Sequence, residues 1–140
     1  MRSGLEKTSA LVVEPDCKPA GKQQRHLLCV DDEKVLVLLT ARVLETNGYQ
    51  VTALSNPLEA VDLFNRENIE LAVLDYEMPG MSGACLAAQL KSARSTLKVI
   101  LFTGVLQVPE PDLSLVDAVV HKSDGVETLL ATVHRLLDSP

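Results

Sequence analysis

Between residues 26 and 138, short unbroken apolar runs alternate with longer stretches in which apolar residues recur at helical spacing. His26 to Val30 predicts a strand. Glu33 to Thr46, with Val35, Leu38, Leu39 and Val43 at helical spacing and Asn47-Gly48 as its stop, predicts a helix. Tyr49 to Leu54 is a second strand. Ser55 or Asn56 then caps a helix with Pro57 in its first turn, running to about Arg66. Ile69 to Leu74, Leu97 to Phe102 and Ala118 to His121 are three further strands, with a helix from Ser82 to about Ala93 between the first two. Asp124 to Leu137 closes the pattern as a helix with Val126, Leu129, Leu130, Val133, Leu136 and Leu137 along one face. Strands apolar on both faces and separated by helices imply a parallel sheet covered on both sides, a doubly wound α/β fold.

Residues 1–25 carry no sustained period and are expected to form a flexible tail, leaving one domain over 26–138. Thirteen Lys and Arg against nineteen Asp and Glu give a net charge of −6, which repels phosphate backbones and anionic lipid in the absence of a basic patch. With no Trp, two Tyr and two Phe, base-stacking platforms are also poorly supplied, so no nucleic-acid partner is expected. The cysteines, Cys17, Cys29 and Cys85, are odd in number and lack zinc or disulfide spacing, which fits a reducing, cytoplasmic setting. Cys29 and Cys85 are expected to be small buried hydrophobes, and Cys17 an idle thiol. No stretch approaches a membrane span or a signal-peptide core.

In doubly wound sheets the working site lies beyond the carboxyl ends of the strands. Here those ends deliver Asp31, Asp32 and Glu33, then Asp75, then Thr103, then Lys122. Singly each has an ordinary explanation as a helix cap, a loop starter, a strand residue or a solvated charge. Jointly they form a rim where crowded carboxylates call for a hard divalent cation and an ammonium faces an anionic group.

The segments LLCVDDE, LAVLDYEMPGMSG, ILFTG and VVHKSDG resemble the receiver domain of two-component response regulators over residues 26–138, above all in Asp75 followed by Met78-Pro79 and Gly83. The resemblance implies a flavodoxin-like sheet of five strands in the order 2-1-3-4-5. It also implies a phosphoacceptor at Asp75, with Thr103 and Lys122 contacting the phosphoryl group. Mg²⁺ would be held by Asp32 and Asp75 directly, by Asp31 through water and by the backbone carbonyl of Glu77. The implied partners are a sensor histidine kinase or phosphotransfer protein and an unidentified downstream target, with a homodimer left open. Such a module signals rather than acting as an enzyme, although it can promote its own phosphorylation and dephosphorylation. Asp32 precedes Asp75 by 43 residues, which suits two helices and two strands, whereas the similar Leu11 to Asp16 run lies too far upstream and lacks a following helix.

Departures from the family fall late in the chain. Val119 stands where an aromatic ring or His is usual, and Ser123 where Pro is usual. Only 19 residues separate Thr103 from Lys122, and Pro109 and Pro111 leave Asp112 to Val116 as the sole proline-free stretch before the fifth strand, so the fourth helix is expected to be shortened or missing. The alternative function is a pseudo-receiver, a phosphorylation-independent interaction module. A phosphohydrolase is disfavoured because no second Asp lies two residues beyond Asp75.

Overall fold

The computed structural model describes residues 24–138. The expected N-terminal tail, and Cys17 with it, lies outside the described residues except for Gln24 and Arg25. Five parallel strands form one sheet in the order β2-β1-β3-β4-β5. They are β1 (His26–Val30), β2 (Gln50–Leu54), β3 (Leu71–Leu74), β4 (Lys98–Thr103) and β5 (Ala118–His121). The crossovers carry α1 (Lys34–Thr46), α2 (Pro57–Phe64), α3 (Gly83–Ala93) and α4 (Glu110–Leu113), and α5 (Val126–Asp138) follows a single 3₁₀ turn at Lys122–Asp124.

The pleat divides the strand residues between two cores. Leu28, Val30, Ala72, Leu74, Val99 and Leu101 pack with Phe64 of α2 and Leu86 and Leu90 of α3. Their neighbours Leu27, Cys29, Leu71, Val73, Ile100 and Phe102 pack on the other face with Val37 and Leu44 of α1 and Leu129 and Val133 of α5. Both faces of the central strands are therefore buried, as their continuous apolar runs require. Side-chain caps fix two helix starts. The Asn56 carboxamide accepts the Leu58 N–H at 2.9 Å, and the Ser82 hydroxyl accepts the Cys85 N–H at 3.1 Å.

Helix α1 forms where the periodicity predicts it, and burial then shows which side faces the core. Val35, Leu38 and Leu39, which announced the helix, are 72, 61 and 60% exposed, and the core face is Val37, Thr40, Ala41 and Leu44. The two stripes share the same i, i+3, i+4 spacing. Apolar residues fall on both the inward and the outward side of the helix, so periodicity identifies it without selecting its inward side. Cys85 is a correction. It is exposed on α3, while Cys29 is buried as expected.

Helix α4 is one turn long, and it begins earlier than the prolines suggested. Pro109 is its cap residue and Pro111 lies inside its first turn. First-turn amides have no intrahelical acceptor, so a missing N–H costs nothing there. At the foot of the sheet, the Arg25 guanidinium donates to Glu70 at 3.3 Å and to the Leu137 carbonyl at 3.1 Å.

Candidate functional site

The sheet register brings the rim together. Val30 is paired with Leu74 in the β1–β3 ladder, so the residues that follow, Asp31 and Asp75, emerge side by side. The ladder runs on into both of them: the Asp75 N–H donates to the Val30 carbonyl at 2.9 Å, and the Asp31 N–H to the Leu54 carbonyl at 3.2 Å. Thr103, paired with His121, ends β4, and Lys122 leaves β5 beside it.

Carboxylate oxygens of Asp31, Asp32 and Asp75 all lie within 4.8 Å of one another. Asp31 and Asp75 are largely buried and Asp32 is exposed. The Lys122 ammonium donates to Asp31 at 2.9 Å and to Asp75 at 3.3 Å. The remaining oxygens are occupied as well, Asp31 accepting the Glu33 N–H at 3.0 Å and Asp75 the Tyr76 N–H at 2.8 Å. Burial first, and then the Asp31 charge, push the Asp75 carboxyl above the ordinary aspartate range against the pull of Lys122 and the Tyr76 N–H. Burial opposes the charge on Lys122, but its bond to Asp31 and the charges of Asp75 and Asp31 outweigh that and hold its pKa up. Three carboxylates facing one ammonium leave the cluster net negative, a donor set of hard oxygens that suits a divalent cation.

Asp32, Asp75 and Lys122, with Glu33, Glu77, Thr103, Gly104 and Val105, line an open depression of about 450 Å³. Asp31 does not line it; it reaches the same cluster from a small gap it shares with Cys29, Thr40 and Asp75. The Thr103 hydroxyl oxygen accepts the Val105 N–H at 3.1 Å. Directly beneath the acids, Cys29 has its thiol pushed up to about 12 by burial and then by the charges of Glu45 and Asp31, so it stays protonated and inert.

Gly83 fixes the loop that follows Asp75. A Cβ there would sit 2.1 Å from the Asp75 carbonyl oxygen, so the start of α3 can approach the acid only as glycine. The Gly83 N–H closes the loop by donating to the Tyr76 carbonyl at 2.8 Å. Within it, Gly80 takes φ +85° and Met78 is buried against the core.

Two contacts had no sequence signature of their own. The Tyr76 hydroxyl donates to Asp112 of α4, joining the residue after Asp75 to the short helix. The His121 Nδ1 stands 3.1 Å from the Val105 carbonyl. Strand alternation could have flagged the second, because His121 shares with Val119 one side of β5, and Val119 packs against the core that includes Val108. His26 and His134 contact Thr52 and Tyr49 and stand apart from the rim.

A family model described as the response regulator receiver domain matches residues 27–109. Among solved structures, the chain is similar to the response regulator protein TrrA from Thermotoga maritima in complex with Mg²⁺ and BeF. The two are 31% identical, with 81% of this chain and 99% of that one covered and a TM-score of 0.76. The same regulator is also known in complex with the histidine kinase ThkA, with a TM-score of 0.74 at 31% identity and the same coverage. Among curated relatives, the transcriptional regulatory protein GlrR of Escherichia coli (strain K12) is 31% identical over 105 residues, 75% of this chain. The alignments cover 15, 22 and 52% of the Arabidopsis thaliana ARR21, GlrR and Bacillus subtilis YkoG relatives, so the chain spans at most about half of their length. Among the described residues no helix is long and apolar enough to cross a membrane.

Proposed function

The chain belongs to the response regulator receiver family, and from that premise we propose that Asp75 accepts a phosphoryl group from a phosphohistidine on a partner kinase or phosphotransfer protein, in the cytoplasm. The carrying observation is Lys122 bonded to both Asp31 and Asp75 within a cluster of three carboxylates. In the reaction an Asp75 carboxylate oxygen forms a P–O bond as the P–N bond to the donor imidazole breaks. The imidazole keeps the electron pair and takes up a proton.

The donor set fits Mg²⁺, which Asp32 and Asp75 would hold directly, Asp31 through water, and Glu77 through its main-chain carbonyl. When bound, the ion neutralises charge on the moving phosphoryl group. Lys122, already beside the accepting oxygen, follows the new phosphoryl oxygens as a point charge. Thr103 gives up its role as acceptor for Val105 and donates its hydroxyl proton to the phosphoryl group. Because Val105 supplies a hydrocarbon side chain and Glu77 a negative charge near the path of attacking water, the acyl phosphate hydrolyses slowly.

Completeness of the rim favours this reading over an interaction module that never carries phosphate. Intact mass after incubation with acetyl phosphate and Mg²⁺ tests it. One added phosphoryl mass in the wild type and none in Asp75→Asn is the expected result. Labelling that survives in Asp75→Asn, or no labelling in a wild type shown to bind Mg²⁺, overturns it.

A further inference from the structure

Thr40 lies on the inward side of α1, 6% exposed, and its hydroxyl has no hydrogen-bond partner among the described residues. The other threonines of the helices behave differently. Thr46, Thr128 and Thr132 each donate to a main-chain carbonyl about one turn back, at 2.8, 2.9 and 2.9 Å. A buried hydroxyl left without a partner is costly, so such a group ordinarily bonds to protein or to ordered water.

Thr40 borders a gap of about 10 Å³ that it shares with Cys29, Asp31 and Asp75 above an apolar wall. That is about the room one water molecule needs, and too little for anything larger. The chemistry of the lining matches the same occupant. The two carboxylates accept hydrogen bonds, and the Thr40 hydroxyl and the Cys29 thiol can donate them. Two acceptors and two donors complement the two O–H bonds and two lone pairs of water. Asp31 and Asp75 have capacity for it, because a carboxylate offers about four acceptor sites. Each of the two takes one main-chain N–H and the Lys122 ammonium.

We propose that Thr40 is a positioning residue for the acid cluster: through one buried water molecule its hydroxyl holds Asp31 and Asp75 from beneath, while Lys122 holds them from the open side. The inference rests on the reading of that cluster as a Mg²⁺ site and extends it to a residue about two turns into α1. The bridge joins α1 to the ends of β1 and β3 and restricts rotation of the two carboxylates. A cation that demands near-ideal geometry gains from carboxylates already held in place.

A crystal structure of the wild-type protein, with Mg²⁺ titrations by calorimetry of the wild type, Thr40→Val and Thr40→Ser, tests the proposal. The crystal should show an ordered water within about 3.2 Å of the Thr40 hydroxyl and of an Asp31 carboxylate oxygen. Thr40→Val keeps the side-chain shape and removes the hydroxyl. It should bind Mg²⁺ about tenfold more weakly, the lower end of what losing an outer partner of a metal ligand costs. Thr40→Ser restores the hydroxyl and should regain most of the affinity. A gap found dry in the crystal overturns the proposal. So does a Thr40→Val variant that binds Mg²⁺ as tightly as wild type, or a Thr40→Ser variant as weak as Thr40→Val. Phosphoryl transfer takes no part in these measurements, so failure here leaves the phosphoacceptor role of Asp75 to its own test. A wild type without affinity for Mg²⁺ would refute the metal site rather than the bridge, which the crystal decides.

Discussion

At the β1–β3 side of the sheet main-chain bonds reach the rim acids themselves, whereas at the β4–β5 side the ladder ends at Thr103 and His121 and side chains hold the loop beyond. Asp31 and Asp75 continue buried strands whose ladder bonds run on into their own amides. Beyond Thr103 the hydrogen bonds to the rest of the domain are single ones, Val105 to Thr103, Val105 to His121, and Asp112 of α4 to Tyr76, with Val108 and Val116 packed against the core. A ladder is cooperative and places the acids rigidly. Isolated side-chain bonds can be exchanged one at a time, so segment 104–116 is the part of the molecule suited to two arrangements. Fixed acids sit beside a segment held by exchangeable bonds, and Thr103 belongs to both.

The largest blow to the rigid half should come from Gly83→Ala. With a Cβ 2.1 Å from the Asp75 carbonyl oxygen, the loop must be displaced from α3 at a cost of about 3 kcal/mol or more. Urea unfolding measures the loss, and a variant within experimental error of wild type would mean the loop yields without cost.

Lys122→Ala strands Asp31 and Asp75 without their cation. Because the ammonium is partly open to solvent, the expected loss is about 1 to 2 kcal/mol at neutral pH. It should fade in acid as the carboxylates take up protons, and thermal melts across pH follow it.

Asp75→Asn should move the other way. A carboxyl held above its unfolded value contributes stability only while protonated, below the ordinary aspartate range, and loses that contribution as pH rises through the raised value. Removing the charge therefore stabilises the fold at neutral pH by about 1 kcal/mol. The gain should disappear at low pH; a gain that persists there would point to packing rather than charge.

The smallest effects sharpen the adjustable half. Tyr76→Phe and His121→Val should leave acetyl phosphate labelling intact while speeding hydrogen exchange within residues 104–116. With beryllofluoride and Mg²⁺ as the phosphoryl mimic, wild-type protection should change in the same window. Changes centred on α1 instead would remove the distinction between the halves.

The acids and Lys122 were legible because each follows an uninterrupted apolar run, so finding the strand also locates its end. The length of α4 was legible for a related reason, since two prolines and 19 residues leave room for little more than a turn. The inward face of α1 was not legible. Leu38-Leu39 and Thr40-Ala41 both fit a helical stripe, and the smaller pair lies inward against the sheet. Cys85 was misplaced because composition speaks of cysteines in general and not of the side of α3 on which one falls. The Tyr76–Asp112 contact joins residues 36 positions apart. It depends on where a one-turn helix comes to rest, and no local pattern encodes that.

Arg25 bears on how the domain can be wired into a larger polypeptide. By reaching the Leu137 carbonyl it ties the incoming chain to the end of α5, the two within one side chain's reach. Both lie at the end of the sheet opposite Asp75, about 17 Å away along a five-residue strand. The two attachment points are thus remote from Asp75, and a tug on the two connections pulls from one corner. Joining these two points by a short linker and opening the chain at a surface turn should give a permuted protein that folds with its rim undisturbed.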